Sequence, residues 1–132
     1  MLRRDLKIGR WLVEFYFCQD GFDVDIILDR LFDFGAGAKV MRRALALMES
    51  GEPDRGFTFA NEYDRVALVL IGPTTSGREF QNTMVHELRH LVNGIAHSLG
   101  VPLDSEPPSY IAGGSAMALA DVICRLGCDS CR

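Results

Sequence analysis

Thr83-Met84-Val85-His86-Glu87-Leu88-Arg89-His90-Leu91-Val92-Asn93-Gly94 lies inside an uninterrupted helical pattern and contains the HExxH arrangement. Residues four apart on an α-helix stand one above the other, so His86 and His90 can offer two imidazole nitrogens to one metal ion with Glu87 beside them. Two neutral nitrogen ligands, an open coordination position and a carboxylate that takes a proton from water are what a hydrolytic zinc site requires. At about 100° per residue from Phe80 to Leu99, the apolar set Phe80, Met84, Leu88, Leu91, Val92, Ile95 and Leu99 forms a stripe centred at about 70°. His86 and His90 fall at about 240° and about 280°, away from that stripe. Two other readings stand beside the metal site: histidines hydrogen-bonded in the core, and a solvated polar face.

Outward from this helix, Ser76-Gly77-Arg78-Glu79 is a capping box that predicts its start, and Gly100 followed by Pro102 predicts its end near Leu99. Residues 56–60 and Val66–Ile71 are β-type runs joined by residues 61–65, which predicts a hairpin; the second run is apolar on both faces, as in a central strand. Residues 8–18 are dense in aromatic and β-branched side chains and predict a first strand. Helical spacing recurs over residues 24–34, behind an N-cap at Asp23, and over residues 39–49. Pro107 and Pro108 suit the first turn of a final helix, continued by Ile111, Met117, Leu119, Val122, Ile123 and Leu126, with Gly113-Gly114 weakening its first half. The expectation is one α+β domain over residues 1–132. In it, a small, mostly antiparallel sheet of about three strands packs against the HExxH helix and a C-terminal helix, with two N-terminal helices.

The 132 residues, 48% hydrophobic, suffice for one core without staples. A net charge of −4 argues against a broad nucleic-acid surface. Met1-Leu2-Arg3-Arg4 is basic, but residues 11–18 are short, carry Glu14 and lack a small-residue cleavage site, so they read poorly as a signal peptide. No run approaches a membrane span, and a cytoplasmic location is expected. In that setting Cys18, Cys124, Cys128 and Cys131 are expected as reduced thiols. Cys124-x3-Cys128-x2-Cys131 superficially matches the cluster spacing of radical SAM enzymes, and a structural metal held by Cys128, Cys131 and two other groups is a further alternative.

The helix resembles the active-site helix of zincin metallopeptidases, and Ser105-Glu106-Pro107-Pro108-Ser109-Tyr110-Ile111-Ala112-Gly113 resembles the glutamate-bearing second helix of the gluzincin branch. HExxH paired with a downstream Glu and a Tyr-aliphatic-x-Gly element is also similar to small zincin-like proteins of bacterial prophages and mobile elements. The resemblance covers residues 76–115. It implies zinc held by His86, His90 and Glu106, Glu87 as general base, and a peptide or protein substrate lying along an edge strand. Tyr110 would stabilise an oxyanion or serve as a buried structural tyrosine.

The reach to Glu106 can be checked. From His90 to Leu99 the helix descends about 13 Å, and residues 101–105, nearly extended at about 3.3 Å each, cover roughly 16 Å on the way back. Glu106 would then stand level with the histidines; otherwise it is an N-terminal helix acid favoured by the macrodipole. His97 lies about 10 Å beyond His90 along the axis, too far to share a metal on a continuous helix, and reads as a substrate-side group or a surface histidine. The metzincin pattern does not fit, since Ala96 occupies the place of its third histidine. The leading expectation is a zinc-dependent hydrolase, a small metallopeptidase. The alternative is a zincin-fold binding or assembly protein that retains the metal site, and a metal-free interaction domain is a third reading.

Overall fold

Gly9, at φ 58°, turns the chain back between Ile8 and Trp11, so the aromatic run expected as one strand is the second arm of a hairpin, β1 (Leu2–Ile8) and β2 (Trp11–Phe17). Positive φ at the first of two central residues is what a two-residue type II′ turn asks for, and glycine supplies it without a Cβ clash. The computed structural model describes residues 1–128, and its strands are completed by β3 (Gly56–Asn61) and β4 (Val66–Ile71). The four described strands form one mixed sheet in the order β1-β2-β4-β3, one strand more than expected, with two of its three pairings antiparallel. β1–β2 and β3–β4 are antiparallel hairpins, and β2 runs parallel to β4 with Leu12 opposite Val66 and Phe17 opposite Ile71.

Each face of the sheet is covered. Helices α1 (Val24–Asp33) and α2 (Ala38–Ser50) connect β2 to β3 and pack with Tyr16, Phe57, Leu68 and Leu70 on one face. Val13, Phe15, Phe17, Val69 and Ile71 point to the other, where α3 (Gly77–Leu99), α4 (Glu106–Ala118) and α5 (Ala120–Gly127) lie. Because successive strand residues alternate faces, β2 and β4 must be apolar at nearly every position, which is why the Val66–Ile71 run reads as continuous. Full burial of each large side chain contributes about 1.5–3 kcal/mol.

The helix ends follow local chemistry. Asp23 accepts from the Ile26 amide at the start of α1, Ser76 accepts from the Glu79 amide at the start of α3, and Gly51 and Gly100 close α2 and α3 in the left-handed conformation. The expected single C-terminal helix is two. Leu119, at φ −102° and ψ 13°, breaks it, and the bend turns that leucine wholly into the core. The Gly113-Gly114 pair, expected to weaken the helix, lies within α4. Among the described residues no helix is long and apolar enough to cross a membrane.

One charge is deeply buried on the α1 face. Glu14, 1% exposed, accepts from the Tyr16 hydroxyl at 2.6 Å and from Arg30 through Nη2 at 2.6 Å and Nε at 3.1 Å, with Arg3 at 3.4 Å. Its hydrogen bond raises the Arg30 pKa, and burial followed by Glu14 pushes the Tyr16 hydroxyl up, so at neutral pH the guanidinium stays charged and the phenol stays neutral. Breaking such a set from one side strands the other charge. Arg30→Met should therefore cost about 3 kcal/mol in urea unfolding, and Glu14→Gln with Arg30→Met should recover most of it. An equal loss in the double variant would show that packing of the arginine stem, not its charge, matters.

Candidate metal centre

α3 turns Phe80, Met84, Leu91 and Ile95 into the core, which leaves His86 and His90 exposed on its outer side. The two Nε2 atoms are 3.1 Å apart, with the rings nearly perpendicular at 79°. Two nitrogens bound at about 2.0–2.1 Å to one tetrahedral ion stand about 3.3 Å apart, so the pair needs almost no adjustment to share zinc. One donor atom from each of His86, Glu87 and His90 lies within 4.8 Å of the others.

Glu87 departs from its neighbours. It is 3% exposed, turned against β3, where the Thr58 hydroxyl donates to its Oε1 at 3.1 Å. A Cβ at Gly56 would come 2.5 Å from the Glu87 Cγ and 2.9 Å from its Cδ, so only glycine leaves room for this side chain. Further along, Gly94 lets α3 approach the strand closely, since a Cβ there would sit 3.2 Å from that of Ala60. Among the described residues no arginine or lysine pairs with Glu87, in contrast with Glu14. The Thr83 hydroxyl, one turn before Glu87, is buried without a partner. Two imidazole nitrogens with no built-in cation beside them are a donor pair that fits a divalent metal, and the Glu87 carboxylate, withdrawn from water, stands beside it.

The other expected site residues are not brought to this cluster. Residues 101–105 do not extend: the Ser105 amide and hydroxyl both bond to the Pro102 carbonyl, folding the segment into a turn. α4 consequently runs along the flank of Val85, Leu88 and Val92, where Leu103, Pro108 and Ala112 complete a groove of about 440 Å³. Glu106 is the exposed first residue of α4, outside the His86–Glu87–His90 group. Tyr110, 73% exposed, is not a buried structural tyrosine. It lines a hollow of about 350 Å³ with Leu6, Lys7 and Ile8 of β1, away from the cleft it was expected to face. His97 stays on the continuous helix, its Nδ1 2.8 Å from the carboxylate of Glu62 in the β3–β4 turn. Thr58 and Gly56 were not anticipated as site residues; the only sequence signal for them was a glycine opening the first arm of the hairpin that precedes the helix.

Cys18 and Cys124 are free thiols, and burial raises the pKa of Cys18. Cys131, and with it the three-cysteine spacing, lies outside the described residues. No protein-family model, no curated protein and no solved structure matches this chain.

The contact between Gly56 and Glu87 predicts a coupled pair. Gly56→Ala should cost about 1–3 kcal/mol of stability by overpacking. In a Glu87→Ala background the same change should be nearly free, a coupling of at least about 1 kcal/mol in a double-mutant cycle read by chemical denaturation.

Proposed function

We propose that this protein is a zinc-dependent hydrolase of zincin-like type, a small metallopeptidase that acts on a peptide or protein. The observation that carries the reading is the buried Glu87 carboxylate, which has no cation of its own and shares a 4.8 Å cluster with two exposed histidines. A structural zinc site needs no general base, whereas hydrolysis needs a proton acceptor beside the metal. His86 and His90 would hold the metal. Zinc bound there would supply a Lewis acid that lowers the pKa of a coordinated water towards neutrality and polarises a carbonyl.

The chain's own residues do the rest. Glu87 accepts the proton of the attacking water and returns it to the leaving amine as the scissile C–N bond breaks. Thr58 fixes one of its oxygens and so sets the direction of the other. β3 ends the sheet beside this cluster, and among the described residues no strand pairs with its outer edge, where an extended peptide would add as a further strand. Glu106, the third ligand implied by the gluzincin resemblance, would have to move with the first turn of α4 to join the pair.

The test is elemental analysis with peptidase assays on purified protein. About one zinc per chain is expected, lost in His86→Ala and in His90→Ala. Glu87→Gln should keep the zinc and lose at least about a hundredfold in kcat, because a base and not a ligand is removed. Full zinc occupancy in both histidine variants, or an active Glu87→Gln protein, would overturn the reading. Glu106→Ala decides the third ligand separately, since zinc affinity unchanged by that variant leaves the site with two histidines and removes the gluzincin-type ligand set.

A further inference from the structure

The two hairpin turns meet at one end of the sheet because β2 and β4 are parallel neighbours. The Leu12 amide donates to the Arg65 carbonyl at 3.0 Å, which brings the Gly9-Arg10 turn beside Arg65. Under them lies a cavity of about 440 Å³ walled by Ile8, Trp11, Ile95, Leu99 and Ile111. That size lies within the roughly 300–1,000 Å³ of small-molecule sites. It is separate from the histidine cluster.

Three features point to a ligand. First, the walls are largely apolar, formed by Trp11 with Ile8, Ile95, Leu99 and Ile111. The one hydroxyl in the lining, Ser98, is already engaged with the Ile95 carbonyl at 2.7 Å. Second, Arg10 and Arg65 both line the cavity, and neither side chain has a hydrogen-bond or ion-pair partner among the described residues. No acidic residue lines it, although the chain as a whole carries a net charge of −4. Third, Arg65 is held at φ 55°, a left-handed conformation that glycine or asparagine adopts more readily. An arginine at that position places its charge at the cavity despite the backbone preference.

We propose that this cavity binds a small amphipathic monoanion, a medium-chain carboxylate. The apolar chain lies among Trp11, Ile95, Leu99 and Ile111, and the carboxylate pairs with Arg10 and Arg65. Charge-assisted bonds from a planar guanidinium suit a carboxylate, and the apolar walls exclude small hydrophilic anions.

Trp11 is the chain's single tryptophan, so the site carries its own fluorescent reporter. Decanoate titrated into the full-length protein should change Trp11 emission saturably, with one equivalent bound by calorimetry. Decanol should bind at least tenfold more weakly, and acetate should not bind. Both arginines are exposed, so Arg10→Gln with Arg65→Gln should fold normally by circular dichroism and lose at least tenfold in decanoate affinity while leaving decanol unchanged. The site is refuted by a non-saturating response, by decanol binding as tightly as decanoate, or by an unchanged affinity in the double arginine variant. His86→Ala should bind decanoate normally, so the outcome does not depend on the metal centre.

Discussion

The Glu87 carboxylate is buried with one hydroxyl partner and no cation, and the docking of α3 on β3 is shaped around it. Taking an ionised carboxylate out of water costs far more than one hydrogen bond returns. The fold nevertheless reserves space for it, through a glycine at 56 and a threonine at 58 on the same face of the strand. Glu14 shows how this chain treats a buried acid that serves structure alone. Its lone pairs are filled by Tyr16 and Arg30, with Arg3 close by, and nothing is left to bind. The incomplete pairing of Glu87, set against that complete one, is the observation on which its proposed role as general base rests.

The same constraint explains two glycines in unlike settings. Gly94 sits in the interior of α3, where glycine costs about 1 kcal/mol relative to alanine. Its return is the close approach to Ala60, which keeps the helix against the edge strand and Glu87 within reach of Thr58. Gly56 does the equivalent from the strand side. Neither position requires positive φ, so the requirement in both is space rather than backbone freedom.

Periodicity and caps made most elements legible. Ser76, Gly100 and Asp23 act on the backbone beside them, so their effect can be read within a few residues. The histidine pair was legible for the same reason, since i and i+4 on one helix is a local relation. β1 was missed because Arg3, Arg4 and Asp5 break its apolar alternation; one side of that strand faces the charged Glu14 group instead of an apolar layer. Gly9 was the sign of the hairpin. The parallel β2–β4 pairing has no local signature, because two helices and a strand separate its partners. Glu106 was placed by assuming an extended return after α3. Pro102 and Ser105 make a turn there, and a few ångströms of chain direction decide which flank of α3 the next helix takes.

That choice of flank gives α3 distinct tasks around its circumference. The core stripe faces the sheet, the Glu87 side faces β3, the Val85–Leu88–Val92 side faces α4, and the histidines are left on the remaining sector. Had α4 packed on the β3 side, it would have covered the histidine pair and blocked the outer edge of the sheet. Packed where it is, α4 instead closes the far end of the sheet, where Ile111 meets Ile95 and Leu99 beneath the two hairpin turns. The accessible histidine cluster and the apolar cavity at Trp11 are thus products of one turn at Pro102–Ser105, which sends α4 to the side where it leaves the first open and walls the second.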